Sequence, residues 1–495
     1  MIFALVFLVL KPTQTHHNWR IEKMPTAPIK FLDQSSLKIC FTDKLVTAYG
    51  GFSVLAKLFE KIKLRGSLEK IIPFAEISPN GTGGYAKILR FALTVIAGGS
   101  RFTHSAFLGD SIEIYQETFG VRRIPRSVSA LTRFFLRFSS WQVVERFSDG
   151  LWSYVFAQII PFGLIREDHL TFDSTVITRH GTQQGSKVGY NPQKRGRPSH
   201  HPILAFLNRS KYIVNLWNRS GNTSSGNGIV EFVKQTTSRL GGRIKILGCL
   251  ADSGFYDIGF VQYLESACLP YVIAAKLYGV LQSKVVAIDE WTKVDKGIDV
   301  AEFFFQHTDE KWEKSRRYIA IRQKISESPD TAKGRQLSLF KDDECYTDYR
   351  YGLYVTSKME SAVDIWRLYR LRAGDEGVIK ETKYDFGLEG FCLENFYATE
   401  AAMLLRVLFY NIINLFRTQC LPEKEKHQTM HTLRLKYFVI PAFLGCCGRD
   451  TVLRLGVRSK ERRQKIIWLF HRIDEVFSKC IAFETVEQTR EAPVT

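Results

Sequence analysis

The spacing of apolar residues changes near residue 168. Before that point apolar side chains recur at the intervals of packed helices, and we expect residues 24–160 to be helical. Turn-forming residues interrupt this pattern at 78–84, where the sequence runs Ser-Pro-Asn-Gly-Thr-Gly-Gly. Beyond residue 168, short runs rich in β-branched and aromatic residues alternate with helical patterns. The chain therefore combines a helical N-terminal region with a longer α/β region.

The α/β region begins with a regular series of predicted elements. In chain order we expect three strands, a helix, a strand, a helix and a further strand, at His169–Ile177, Pro202–Leu207, Tyr212–Trp217, Ile229–Leu240, Ile244–Ala251, Tyr256–Ser266 and Pro270–Ala275. This order is the one expected of an RNase H-like core, which we place at residues 165–280.

The rest of the chain divides by the same criteria. Residues 281–350 alternate β-prone runs with charged turns and predict a β-rich insertion. The core is expected to resume over 351–420 and to include a long helix at Leu393–Arg417. A helical region should follow at 421–495. The first 23 residues begin with an apolar run too short to span a bilayer, and we expect a mis-annotated or disordered leader, with Met24 as the true start.

Charge narrows the choice of partner. Lys and Arg number 69 against 50 Asp and Glu, so the net charge is +19 and a polyanion such as nucleic acid is favoured. A cationic membrane-surface protein is the alternative, but no long basic amphipathic helix supports it. The nine cysteines include no C-x-x-C pair and are expected to be reduced thiols. We therefore expect a cytoplasmic protein with neither a membrane partner nor a small-molecule substrate.

Two basic segments are candidates for contact with DNA. The predicted helix Val128–Phe138, capped by Ser127, contains Arg133 and Arg137 four residues apart. It suits the reading element of a helix-turn-helix, or equally a packed helix with surface arginines. The Gly-rich loop 179–201 supplies further cations, namely Lys187, Lys194, Arg195 and Arg197.

One spaced set of residues unites an aromatic ring, two cations and a carboxylate. These are Tyr369, Arg372, Glu376 and Lys383, and on a continuous helix they would lie within about 60° of one another. Such a surface suits gripping a phosphate chain with a metal ion held beside it. A solvated helix face with ion pairs is the alternative.

The spacing Tyr-x2-Arg-x3-Glu-x6-Lys resembles the signature of the Tyr-Arg-Glu-Lys (YREK) class of bacterial insertion-sequence DDE transposases. The continuation through Lys383-Tyr-Asp-Phe-Gly387 also resembles transposase DDE domain group 1. The resemblance implies that Glu376 is the third catalytic acid. Asp173, on the first predicted strand, and Asp252, after the fourth, then fall where the other two acids are needed. Ala251 departs from the family pattern, because an arginine is expected before the second acid.

Three carboxylates at strand and helix ends suit two hard divalent ions, Mg²⁺ or Mn²⁺. The resemblance implies cut-and-paste transposition: water nicks the element at its terminal inverted repeats, and the freed 3′-hydroxyl then attacks target DNA. It also implies a homodimer on double-stranded DNA, at the bacterial nucleoid. Tyr369, Arg372 and Lys383 would hold phosphates. Trp291 and Trp312 of the insertion would each stack on a flipped base, or simply fill the core.

Two other classes remain open at this point. The chain could be an RNase H-like nuclease, which should lack the four-residue signature and the insertion. It could also be a catalytically inert, transposase-derived DNA-binding protein, although all three acids are present.

Overall fold

A computed structural model describes residues 41–75, 81–192, 194–308, 312–327, 345–346 and 348–490. The chain from Val46 onward forms one compact unit. The expected leader at 1–23 lies outside the described residues, as does part of the turn at 78–84. The division of the chain into domains, as the sequence suggests it, stays a prediction.

The N-terminal region is helical, as predicted. Its described residues form one short strand and six α-helices: β1 (Val46–Thr47), α1 (Phe52–Lys61), α2 (Leu64–Ile71), α3 (Gly84–Ile96), α4 (Ile112–Phe119), α5 (Ser129–Leu136) and α6 (Trp141–Tyr154). Local sequence explains the end of α4, because Gly120 adopts a left-handed conformation (φ +60°) there. Helix α3 is buried along most of its length, since apolar residues occupy nearly all of its faces.

Helix α5 is shorter than the sequence suggests. The prediction of a helix at 128–138 capped by Ser127 is wrong in its bounds, and its first turn has no side-chain cap. The hydroxyl of Ser127 instead pairs with that of Ser129, at 2.7 Å between the oxygens. Leu131, Phe134 and Phe135 are buried, and α5 packs on α3. Packing rather than capping therefore fixes this helix.

The predicted series of core elements is present in the predicted order. The elements in this part of the chain are β2 (Glu167–Ser174), β3 (Ile177–Thr178), β4 (Lys187–Val188), β5 (Pro198–His200), β6 (Ile203–Leu207), β7 (Ile213–Trp217), α7 (Ile229–Leu240), β8 (Lys245–Ala251), α8 (Ile258–Ser266) and β9 (Tyr271–Ala274). Three short strands, β3, β4 and β5, lie between β2 and β6 in the chain. The small strands form their own sheet, in the order β3-β5-β4.

The main sheet has the RNase H-like arrangement. Its core strands lie in the order β9-β8-β2-β6-β7. Strand β2 runs parallel to β8 and antiparallel to β6, and β8 runs parallel to β9. Helices α7 and α8 connect β7 to β8 and β8 to β9, as crossover connections between parallel strands require. The fold class predicted from the sequence is confirmed.

The insertion extends this same sheet. It consists of α9 (Gly279–Val286), β10 (Thr292–Asp295), β11 (Ile298–Phe305), β12 (Arg316–Lys324), β13 (Cys345–Tyr346) and β14 (Tyr349–Thr356). Strand β14 pairs antiparallel with β9, so that one ten-stranded sheet runs from β10 to β7. Strands β11, β12 and β14 pair in unbroken antiparallel register over eight residues each.

The C-terminal part is mostly helical. Its elements are α10 (Ala362–Arg370), α11 (Ala373–Tyr384), α12 (Phe396–Leu415), α13 (Met430–Leu433), β15 (Ala442–Cys447), β16 (Asp450–Leu455) and α14 (Lys460–Arg490). The hairpin β15–β16 lies in a region for which only helices were expected, and β1 completes a three-stranded sheet with it.

Helix α12 is the central packing element of the protein. It contacts α3, α5 and α6 of the N-terminal region as well as strand β7 of the sheet. Together with the helical turn that follows it, α12 spans Phe396–Cys420. Within the described ranges this is the one helix that is long and apolar enough to cross a membrane. Because 89% of its most apolar window is buried inside the protein, it is explained as a core helix.

Candidate active site

Two of the predicted acids stand at the ends of adjacent parallel strands. Phe172 of β2 is in register with Ala251 of β8, so Asp173 and Asp252 each follow one position later at the same edge of the sheet. An oxygen of Asp173 accepts the Ser174 N–H at 2.8 Å, and one of Asp252 accepts the Gly254 N–H at 2.9 Å. The chain's own backbone thus orients both carboxylates.

A single guanidinium lies against both aspartates. An Nη of Arg372 is 3.3 Å from Oδ2 of Asp173 and 3.7 Å from Oδ2 of Asp252. The arginine side chain is 11% exposed, whereas that of Asp252 is 38% exposed. One cation therefore serves two carboxylates that come from different strands.

The electrostatic balance at this pair is incomplete. Burial raises the pKa of the Asp173 carboxyl to about 7, although the Arg372 guanidinium beside it acts in the opposite direction. The neighbouring charge of Asp252 raises it further. Burial alone would lower the pKa of Arg372, but Tyr369 and the two aspartates hold it above its ordinary value. The site favours additional positive charge.

Glu376 lies one turn beyond Arg372, and its side chain is exposed. The expectation of one continuous helix through the whole signature is wrong. Helix α10 ends at Arg370 and α11 begins at Ala373. Between them, amide groups bond carbonyls three residues back, as in the bond from the Arg372 N–H to the Tyr369 carbonyl at 3.0 Å. Tyr369 and Glu376 therefore lie on different helices.

The other two signature residues contact the ends of the acid-bearing strands. The Tyr369 hydroxyl donates to the carbonyl of Ala251 at 3.1 Å. The Lys383 ammonium donates to the carbonyl of Val176 at 2.9 Å and pairs with Glu389 at 3.0 Å. Tyr369 thus attaches α10 to the last residue of β8, and Lys383 attaches α11 to the segment that follows β2. Their predicted contacts with phosphate stay predictions.

The carboxylates fit a divalent cation in part. Asp173 and Asp252 already share one positive charge and offer the oxygen ligands that Mg²⁺ and Mn²⁺ prefer. Glu376 would have to turn toward them, since across the described ranges no three His, Cys, Asp or Glu side chains are spaced to hold a metal ion. Two of the three predicted ligands therefore contact one shared cation, and the third lies on the adjoining turn; their role as metal ligands stays a prediction.

A comparison with protein families shows which family the chain belongs to. Residues 29–473 match the model of transposase DDE domain group 1. The chain belongs to this family. Among solved structures, the transposase is similar to a piggyBac transposase in a synaptic complex with hairpin DNA. The two chains are 11% identical, with a TM-score of 0.42 over 92% of this chain and 85% of the other. No curated protein matches it.

The predicted DNA-contacting cations occupy two different settings. In the loop between β4 and β5 the transposase exposes Lys194, Arg195 and Arg197. Arg133 on α5 is exposed as well, but Arg137 lies over the Phe74 ring at 4.3 Å. Arg137 also donates to a backbone carbonyl at 3.0 Å. The exposed cations are available to phosphate, whereas Arg137 would have to leave its aromatic partner.

The two tryptophans of the insertion also differ in how accessible their rings are. Trp312 is 8% exposed, and its ring centroid lies 4.3 Å from that of His307 and 5.6 Å from that of Tyr256. Base stacking by Trp312 would require this cluster to open. Trp291 is half-buried, and the Arg322 guanidinium lies 4.5 Å from its ring centroid. Of the two, Trp291 is the better placed to meet a base.

A polar network beside the acids was not found by sequence reasoning. The ring of His201 lies between the Ser174 hydroxyl, at 3.0 Å, and the Thr223 carbonyl, at 2.7 Å. Ser174 also pairs with the Ser225 hydroxyl at 2.9 Å. Burial lowers the pKa of His201. The neutral ring therefore ties the turn at 218–226 to the strand that contains Asp173. The only signal in the sequence was the richness of that turn in small polar residues.

Proposed function

We propose that this transposase cuts DNA strands at the ends of its own mobile element and joins the freed 3′-hydroxyl to a target. The observation that supports this most directly is the pair of carboxylates, Asp173 and Asp252, at adjacent parallel strand ends with one shared cation. Glu376, at the third position of the YREK spacing, completes the acidic set. We assign the protein to that class and to an insertion sequence moved by a cut-and-paste route.

Asp173, Asp252 and Glu376 would hold two Mg²⁺ or Mn²⁺ ions. When bound, such ions activate the attacking oxygen and stabilise the leaving oxygen of a phosphodiester. Because Asp173 is buried with a raised pKa, it must lose any proton it holds before it can act as a ligand. The exposed Glu376 side chain can turn toward the pair without breaking packing in the core.

Arg372 would have two successive partners. Against the aspartates, its guanidinium supplies the positive charge that a metal ion would otherwise supply. Divalent ions held by the carboxylates would repel the guanidinium, whose forked donors would then suit a DNA phosphate. Arg372 thus makes the buried Asp173 and its neighbour Asp252 compatible with folding when neither DNA nor metal is bound.

Double-stranded DNA is the proposed partner, in a complex with two copies of the chain at the nucleoid. The net charge of +19 favours a polyanion. The exposed cations Lys194, Arg195 and Arg197 and the exposed Arg133 would contact phosphates, and Tyr369 and Lys383 would support the strand ends nearest the cleaved bond.

The test is end cleavage by the full-length protein with Mg²⁺, compared among Asp173→Asn, Asp252→Asn and Glu376→Gln. Each should reduce strand cleavage by at least about 10³-fold with DNA-end binding preserved, because each removes a ligand charge. Glu302→Gln is the matched control: it neutralises a half-exposed acid paired with Arg317 on the insertion and should cut normally.

A variant of the three that still cuts near the wild-type rate would exclude that residue from the metal site. Two other outcomes would point to another function. A wild-type chain that binds ends without cutting them would be an inert DNA-binding protein. Cutting of RNA–DNA hybrids without strand transfer would indicate an RNase H-like nuclease.

A further inference from the structure

Lys211 bridges the break between α10 and α11. Its ammonium donates to Oδ1 of Asp375 at 2.7 Å and to the carbonyl of Leu371 at 3.0 Å. Leu371 is the C-cap residue that directly follows α10, and Asp375 is in the first turn of α11. A third bond, to Oδ1 of Asn208, is 3.3 Å long. One cation on the β6–β7 turn therefore contacts both helices of the signature.

The position of Lys211 is itself tightly fixed. Its backbone has a φ of +59°, in the left-handed region that few lysines occupy. Its N–H donates to the Leu207 carbonyl at 2.8 Å, and its carbonyl accepts the Tyr410 hydroxyl at 3.0 Å. The residue is thus held by β6 on one side and by the central helix α12 on the other.

The partner carboxylate is enclosed. Asp375 is fully buried, and the pKa of its carboxyl is raised by that burial against the lowering influence of Lys211 and the Thr171 hydroxyl. Thr171 lies two residues before Asp173 on β2, so both point to the same face of the strand. Asp375 therefore places the start of α11 beside the strand that contains the first catalytic acid.

Gly374 leaves room for this bridge. A Cβ at position 374 would lie 2.7 Å from Cε and 2.8 Å from Nζ of Lys211. The lysine end is flexible in principle, but moving it would break its three bonds. At Gly377, three residues further on, a Cβ would have nothing within 4 Å. The two glycines flank Glu376 on one helix, yet only one of them faces the lysine.

We propose that Lys211 is a positioning residue for the catalytic helix. By joining the end of α10 to the start of α11, it sets where Arg372 and Glu376 stand relative to Asp173 and Asp252. Lys211 does not touch substrate or metal; it acts through Asp375 and the Leu371 carbonyl. This assignment rests on the proposed function, because it supposes that Glu376 must reach the two aspartates.

An ordinary stabilising ion pair is the competing explanation, and α11 contains one. Glu381 pairs with Arg417 at 2.8 Å and 3.1 Å, with both side chains 8% exposed. That pair also accepts the Met430 N–H and joins α11 to the C-terminal elements. It contacts neither end of the break. Lys211 is distinguished from it because its bonds reach both sides of the break next to Arg372.

The decisive comparison is Gly374→Ala against Gly377→Ala in the full-length protein. Both replace a helical glycine by alanine and favour helix formation. Gly374→Ala should displace Lys211 and reduce the rate of Mg²⁺-dependent end cleavage by about 10²-fold, as expected for a misplaced ligand. Gly377→Ala should cut within a factor of three of wild type. Equal activity of the two variants would overturn the proposal.

A second readout does not depend on cleavage of DNA. Fe²⁺ bound in place of Mg²⁺ cuts the backbone near its ligands, and in the wild type the cuts should fall beside Asp173, Asp252 and Glu376. In Gly374→Ala and in Lys211→Met the cut near Glu376 should weaken about tenfold relative to that near Asp173, whereas Lys211→Arg should restore it. A purely stabilising role would lower the unfolding temperature of Lys211→Met and leave the pattern of cuts unchanged, and that result would refute positioning. A wild type without cuts at these acids would instead contradict the proposed function.

Discussion

Charges are balanced differently in the two halves of the ten-stranded sheet. In the core half, Asp173 and Asp252 share the single cation Arg372, and burial raises the pKa of Asp173 to about 7. In the insertion half, each arginine of β12 pairs with a different carboxylate. The pairs are Arg316 with Glu265 at 2.9 Å, Arg322 with Asp299 at 2.8 Å and Arg317 with Glu302.

The difference distinguishes the edge of the sheet that holds the candidate catalytic acids from the part of the sheet that supports it. Parallel strands bring their ends to one edge, and there the protein leaves negative charge only half neutralised, which suits the binding of cations. The antiparallel strands of the insertion pair in long, regular register, and their charges are satisfied within the protein. The sheet is thus enlarged by five strands beyond the edge that holds Asp173 and Asp252, and the described residues of those strands form no competing metal site.

The largest expected effect concerns the salt bridge that joins the two halves. Arg316 of β12 is 4% exposed and holds Glu265 of α8 through two bonds, at 2.9 and 3.0 Å. Arg316→Met would leave that glutamate without its main partner. We expect the free energy of unfolding to fall by about 3–5 kcal/mol, measured by denaturant titration.

Asp173→Asn is the contrasting variant in the core half. It removes an under-neutralised buried acid, so it should abolish cleavage while the free energy of unfolding stays constant or rises. If Asp173→Asn destabilised the protein as much as Arg316→Met, the two halves would not differ in the way described.

An intermediate effect is expected at Trp291, which is half-buried beneath Arg322. If this ring stacks on an unpaired base, Trp291→Ala should weaken binding to DNA ends with a frayed or hairpin terminus by about 1–3 kcal/mol, roughly 5- to 150-fold. Trp291→Phe should retain most of the affinity. Unchanged affinity of the alanine variant for frayed and fully paired ends alike would make the insertion purely structural.

The remaining expected effect is on the pH dependence of stability. Glu400 of α12 accepts the Asn218 N–H, and burial raises the pKa of its carboxyl to about 7. The folded state then keeps a proton that the unfolded state loses above about pH 4.5. Stability should therefore fall as pH rises from about 4.5 to 7, by at most about 1.4 kcal/mol per pH unit.

Glu400→Gln should flatten that slope, as thermal unfolding across the pH range would show. Glu265 should act in the opposite sense, because its pKa is lowered: burial works against its partners Arg316 and Lys314, which prevail. Its stabilisation is present near neutrality and is lost as pH falls through the folded pKa. A slope in Glu400→Gln identical to that of the wild type would show that the Glu400 carboxyl has the same pKa in the folded and unfolded protein, against the raised pKa described here.

The elements of the fold were predictable because their patterns are local. The predicted helix Ile229–Leu240 has its observed bounds, and the strand ending at Ala251 differs from the observed one by a single residue. Such runs have a clear apolar period and are bounded by turn residues. The hairpin β15–β16 was missed, since its strands are short and only partly buried and so lack strong alternation.

Only those residues of the candidate site that follow from the spacing of residues along the chain could be predicted. Asp173, Asp252 and Glu376 follow from the signature and from the order of strands. The contact of Arg372 with both aspartates does not, because it depends on the break after Arg370, which no proline marks. Nothing in the sequence pointed to Lys211. It lies 164 positions before its partner Asp375, and its backbone adopts a left-handed turn conformation that the sequence pattern does not predict.

The small sheet that joins β1 to β15 bears on how the chain is made. Val46 is in register with Phe443, so the paired residues are separated by 443 − 46 = 397 positions. At a synthesis rate of about 5–20 residues per second, β1 waits roughly 20–80 s for its partner to be translated. Over that interval the N-terminal helices also lack α12, against which three of them pack. A nascent chain therefore cannot complete its helical region until nearly all of it has left the ribosome, and a prematurely terminated product would expose the apolar surface that α12 covers.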